Sequence, residues 1–127
     1  MIGGIKALFY GEDCECAAAE EIMRSIPAVR DKRLECRGVS CHDELFNALN
    51  EWKPTMTIVL ADGAAGMEGV FTVKDNHPRC VVFWFSNDHD FGMMSHRLEC
   101  AYFSTKPLTE DKLHRAFRRC AHVGLGI

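Results

Sequence analysis

Short apolar runs alternate with stretches of helical periodicity five times along the chain. Ile5 to Tyr10 is an apolar run closed by Gly3-Gly4 and by Gly11, and reads as a strand. Arg33 to Val39 is a second, partly polar strand, of the kind that lies toward a sheet edge. Thr57 to Ala61 is continuous and β-branched, a buried type of strand. Cys80 to Phe85 is apolar at every position, so it must be covered on both faces and belongs in the middle of a parallel sheet. Ala101 to Phe103 is a short fifth strand.

Between these runs the period changes to that of a helix. Ala18, Ala19, Ile22, Met23 and Ile26 share one face of a helix over Cys14 to Ile26, which Pro27 ends. Ser40 precedes Cys41-His42-Asp43 in a capping-box-like start, and Leu45, Phe46, Leu49 and Trp52 make the next stripe. Gly63-Ala64-Ala65-Gly66 reads as a tight loop of small residues before a short helix carrying Met67, Val70, Phe71 and Val73. Phe91 to Leu98 is a weaker helix because it contains Gly92. The last helix is the best specified. Thr109 is its N-cap, Glu110 and Asp111 lie in its first turn, and Leu108 can staple onto Leu113. Leu113, Ala116, Phe117, Cys120 and Val123 line one face, Arg118 and Arg119 lie near the end, and Gly124 stops it.

Five strands alternating with five helices imply a parallel sheet covered on both faces. Right-handed crossovers leave few topologies. The expected fold is a doubly wound α/β domain of flavodoxin-like type, with strand order 2-1-3-4-5 and one domain over residues 1–127.

Composition narrows the function. With 127 residues, one domain is expected. No apolar stretch reaches the roughly 18 residues of a membrane helix, and the N-terminus lacks the apolar core of a secretory signal. The net charge of −3 argues against direct nucleic-acid binding by this domain. Seven cysteines, odd in number and without a CxxC, fit a reduced cytoplasmic protein better than a disulfide framework. The six histidines and seven cysteines do not repeat the two-plus-two spacing of a structural zinc site.

In doubly wound sheets, ligands bind beyond the carboxyl ends of the strands. The residues there are Glu12 and Asp13 after strand 1, Asp62 after strand 3, Ser86 after strand 4, and Lys106-Pro107 after strand 5. Oxygen donors at an open edge suit Mg²⁺, and carboxylate, hydroxyl and ammonium groups suit phosphoryl transfer. A carboxylate can itself be the nucleophile and form an aspartyl phosphate. Each residue also has an ordinary structural reading. Asp62 can be a turn former, Glu12 and Asp13 can complement a helix dipole, Ser86 can cap the Asn87-Asp88 start, and Lys106 can be a solvated lysine.

This order of residues resembles the receiver domain of two-component response regulators over about Ile5 to Val123. An aliphatic strand ending in acids is matched by Lys6 to Asp13, the phosphoacceptor strand by Thr57 to Asp62, and the following Gly-Met-Asp-Gly by Gly66-Met67-Glu68-Gly69. The Ser/Thr is matched by Ser86 and the Lys-Pro by Lys106-Pro107. The resemblance implies a signalling module rather than an enzyme. It implies Asp62 as phosphoacceptor, Ser86 and Lys106 as donors to the phosphoryl oxygens, and Mg²⁺ on Glu12, Asp13 and Asp62. It also implies a sensor histidine kinase as donor, and Phe103, with Tyr102 beside it, as the aromatic that moves inward on phosphorylation. Further implied are a homodimer through the helix 4–strand 5–helix 5 face, where Lys112, Arg115, Arg118 and Arg119 form a basic stretch, and an output domain beyond residue 127.

The match has departures. Without a gap, Gly11 stands where the first acid of the family's pair belongs; with a strand one residue longer, Glu12 and Asp13 are the pair. Counting back from Gly66 without a gap puts Ala61 at the acceptor position, whereas counting along the strand gives Asp62. The strand count is preferred, because a slipped register turns every side chain to the wrong face. The usual proline of the following loop is absent from Gly63-Ala64-Ala65. These departures raise a second expectation, a phosphorylation-independent pseudo-receiver that acts as an interaction or dimerisation domain. A small flavodoxin-like cofactor enzyme is a third, weakened by the lack of a phosphate-cradling glycine loop after strand 1.

Overall fold

The computed structural model describes residues 4–30 and 32–122, so Gly3, Val123 and Gly124, read above as boundaries and core, lie outside the described residues. Five strands form one parallel sheet: β1 (Gly4–Tyr10), β2 (Arg33–Val39), β3 (Met56–Val59), β4 (Val81–Ser86) and β5 (Tyr102–Thr105). Their order is β2-β1-β3-β4-β5, as the alternation of patterns predicts. Burial follows position. All of β3 is buried, as is β4 after its first residue, whereas the polar strand β2 is an edge with alternating exposure.

Alternation along each strand divides the core into two layers. Ile5, Ala7 and Phe9 of β1 face α1 (Asp13–Ser25) and α5 (Glu110–His122), where Met23, Leu113 and Phe117 meet them. Leu8 and Tyr10 face the other way, toward α2 (His42–Asn47), α3 (Gly63–Asn76) and α4 (Gly92–Arg97). Trp84, Phe83 and Phe85 are fully buried. Each such side chain contributes on the order of 1.5–3 kcal/mol by leaving water.

Several local expectations are corrected. The loop expected over Gly63–Gly66 is instead the first turn of α3, with Asp62 at the N-cap position in extended conformation and its side chain making no capping bond. The small residues answer a steric need: a Cβ on Gly66 would lie 2.1 Å from the Ala61 carbonyl oxygen. α2 passes into a π-helical turn over Ala48–Trp52, closed by Lys53 N–H donating to Ala48 O at 3.0 Å. Its buried stripe is Leu45, Ala48 and Leu49, so Phe46 points outward, and on α3 Phe71 does the same. The residue capping α2 is Cys41 rather than Ser40; Glu44 reaches back to accept from Ser40 N at 3.0 Å. Pro27 ends α1 but also opens a single helical turn, Pro27–Arg30, where its fixed φ suits a first position. The fifth strand runs Tyr102–Thr105, later than expected. α4 is short and is preceded by a 3-10 turn, His89–Phe91. On α5, Thr109 Oγ1 accepts from Lys112 N at 3.2 Å, the cap the sequence predicts.

Candidate functional site at the carboxyl edge of the sheet

Strand register sets this edge. Val59 is paired with Trp84, so three residues further along both chains Asp62 comes opposite Asn87. Ser86 is paired with Thr105, so one residue further Asn87 comes opposite Lys106. The side chains meet accordingly. Asp62 Oδ1 accepts from Asn87 N at 3.3 Å and lies 3.1 Å from Lys106 Nζ. Lys106 Nζ also bonds Glu15 Oε2 at 2.5 Å. The Lys106–Pro107 peptide is cis.

Lys106 is largely buried, 16% exposed, whereas Asp62 is open to solvent at 43%. Burial alone pulls the Lys106 pKa down, but the hydrogen bonds and charges of Glu15 and Asp62 outweigh it, and the net shift is upward. The ammonium is therefore fixed as a cation beside the Asp62 carboxylate.

Ser86 is fully buried, and its hydroxyl accepts from Asp88 N at 3.1 Å. It turns the chain after β4, while Asp88 caps the next turn by accepting from Asp90 N at 2.9 Å. Ser86 O also accepts from Lys106 N at 2.9 Å, which locks the ends of β4 and β5 together. Phe103 and Tyr102 are separated by strand alternation. Phe103 packs edge-on against Trp84 with centroids 5.5 Å apart, while Tyr102 meets Phe83 and Phe85 on the other face. Trp84 is in turn stacked on Phe91 at 5.1 Å, and its indole N–H has no hydrogen-bond partner among the described residues.

Glu12 and Asp13 stand exposed at the start of α1. With Asp62 they offer oxygen donors at an open edge, which is the chemistry Mg²⁺ takes. They are not gathered: among the described residues, the single trio of metal-type ligand atoms within 4.8 Å is Asp88, His89 and Asp90, all on the exposed turn after β4. Gly11 is closed to any acid, because a Cβ there would lie 2.9 Å from Leu60 Cβ and 3.2 Å from the Leu60 carbonyl carbon. Strand 1 thus brings its acids only at Glu12 and Asp13.

Two participants escape the sequence reading. Glu15 lies one turn inside α1, and the reading took only residues directly following strands. Asn87 contributes its backbone N–H, which no side-chain pattern reveals. Beside Lys106 and Glu15, an open groove of about 450 Å³ is lined by Ala18, Ala19, Ile22 and Leu108. Among the described residues no helix is long and apolar enough to cross a membrane.

No protein-family model matches the sequence, and no curated protein matches it. Solved structures do. The signal receiver domain of a modulated diguanylate cyclase from Desulfovibrio desulfuricans superposes with a TM-score of 0.71 at 16% identity, covering 95% of this chain and 96% of that one. A response regulator from Thermotoga maritima gives 0.73 at 15% identity, covering 92% and 97%. NtrX from Brucella abortus gives 0.74 at 19% identity, covering 95% of this chain and 27% of that much longer one. Asp62, Asn87 and Lys106 thus meet at the carboxyl edge of a chain that has the five-stranded parallel fold of response-regulator receiver domains.

Proposed function

We propose that this chain is a two-component receiver module that accepts a phosphoryl group on Asp62 from the phosphohistidine of a sensor histidine kinase. The observation that carries the reading is the pairing of a solvent-open Asp62 with a largely buried Lys106 at the carboxyl edge of the sheet. Asp62 Oδ1 is held by Lys106 and by Asn87 N–H, and Oδ2 has no hydrogen-bond partner among the described residues. Oδ2 is thus the free nucleophile. It attacks phosphorus, the P–N bond breaks, and the imidazole leaves with the electron pair and takes up a proton. Lys106 neutralises charge on the incoming phosphoryl oxygens while Glu15 fixes its position. Ser86, fully buried with its hydroxyl accepting from Asp88 N, serves as a further donor once that hydroxyl turns toward the phosphoryl group.

Glu12, Asp13 and Asp62 would hold a Mg²⁺ ion, which would offset the charge of the carboxylates and phosphoryl oxygens. The apolar groove along α1 beside Lys106 gives a donor protein a surface against which to deliver its phosphohistidine. The phosphorylated edge then biases a surface read by an output domain or partner, with Phe103 against Trp84 as the reporting aromatic pair. The module catalyses its own phosphorylation and slow dephosphorylation and is not otherwise an enzyme. Its place is the cytoplasm.

The test is intact mass after incubation with Mg²⁺ and acetyl phosphate, with Asp62→Asn as control. A gain of one phosphoryl group in the parent alone is expected. A phosphorylation-independent interaction domain is the second reading, favoured by the steric closure at Gly11. It predicts no mass gain from acetyl phosphate or from a panel of phosphorylated kinases.

A further inference from the structure

We propose that the edge of the sheet beside β5, remote from Asp62, is a binding site for an organic phosphate. Arg115, Arg118 and Arg119 are exposed on α5 at spacings that place them on one face. With Tyr102 of the neighbouring strand they line a concavity of about 300 Å³. Arg119 also borders a larger groove of about 870 Å³ at the opening ends of β4 and β5. The floor of that groove includes Val82 and Ala101, and Lys74 and Arg79 stand at its rim.

Three features select the ligand. The arginines are uncompensated: among the described residues none of Arg79, Arg115, Arg118 and Arg119 is in an ion pair. Lys112, by contrast, is already used, donating to Thr105 O at 2.6 Å and Pro107 O at 3.0 Å. Among the described residues Glu99 is the one acid lining the larger groove, where Lys74, Arg79 and Arg119 outnumber it, and Lys74 Nζ is anchored to the Glu99 backbone carbonyl at 2.9 Å. Arg115 and Arg119 stand one turn apart on the helix, so their like charges repel and add to one local positive field, in a chain whose net charge is −3. Guanidinium groups match the oxygens of a phosphate in paired hydrogen bonds. The apolar floor next to them suits the organic part, which makes a nucleotide-sized ester a better fit than a bare anion. A second copy packed through this face about a two-fold axis would set arginines against arginines, because such contacts repeat one patch on both sides.

The test is a two-dimensional amide NMR titration of the whole chain, with divalent ions chelated, using ATP and, separately, tripolyphosphate. Saturable shifts at Ala101, Tyr102, Arg115 and Arg119 are expected, with ATP the tighter of the two. The double variant Arg115→Gln/Arg119→Gln is expected to weaken ATP about tenfold or more, while Arg33→Gln, on the far edge strand, leaves it unchanged. Both sites are exposed, so the dispersed spectrum of the parent should persist in the variants. Any of three results overturns the proposal: no saturable shift, shifts gathered at Asp62, or equal affinity for the two probes. A short single-stranded oligonucleotide that binds far more tightly than ATP also overturns it, in favour of a nucleic-acid surface. The outcome is independent of whether Asp62 takes a phosphoryl group.

Discussion

At the scale of single residues, Lys106 and Gly66 decide how Asp62 is presented. The Lys106 pKa is raised in the folded chain. Its contribution to stability is therefore complete below the ordinary lysine value of about 10.4, and is lost as pH rises through the higher folded value. Urea midpoints of the parent and of Lys106→Met, measured from pH 7 into this alkaline range, should converge as pH rises. Comparison with the variant is needed because burial also pushes thiols such as Cys16 and Cys80 up to about 11, which gives the parent an alkaline decline of the same sign. Gly66→Ala should cost about 1–3 kcal/mol in urea denaturation, toward the upper end because the atom it strikes is backbone. It should also shift the amide signals of Asp62, since Ala61 must move.

At the scale of elements, the cap of α5 can be tested directly. Thr109→Ala removes the acceptor for Lys112 N and should lower stability by about 1 kcal/mol, read as a fall in thermal midpoint. This helix and the strands β2 and β4 were legible because propensity, caps and periodicity agree there. The alternation of Arg33–Val39 and the unbroken apolar run before Ser86 state their own places in the sheet. The π-helical turn at Ala48–Trp52 was not legible, because its one-residue shift rotates the stripe without leaving a mark in composition. Gly63–Gly66 misled for a related reason. Small residues signal both a turn and a close approach, and only the position of Ala61 O shows which one applies. At the site, Asp62 and Lys106 were visible as strand-end residues. Glu15 was hidden, because a helix residue reaches the edge only once α1 is packed beside β5.

At the scale of the molecule, the sheet separates two chemistries: carboxylates around the Lys106 ammonium at its carboxyl edge, and, beside β5, arginines that form no ion pair among the described residues. The cysteines follow the layers in the same way. Cys14 and Cys41 are exposed, whereas Cys16, Cys80 and Cys120 are buried and Cys36 and Cys100 half-buried. Burial pushes Cys100 and Cys120 up to about 12 and Cys36 to about 11. Timed iodoacetamide labelling at neutral pH should therefore modify Cys14 and Cys41 first, with the other five reacting on the timescale of opening. The aromatic stack behind the Asp62 loop equips the protein with its own optical probe. The chain has two tryptophans, and they sit in opposite settings. Trp52 is half-exposed under the Arg37 guanidinium at 4.7 Å, whereas Trp84 is sealed between Phe91 and Phe103 with an indole N–H that has no partner among the described residues. With Trp52→Phe as background, emission and near-ultraviolet dichroism report on Trp84 alone. Any event at Asp62 that shifts Phe103 or offers that N–H a partner then becomes a change of colour, readable without a label.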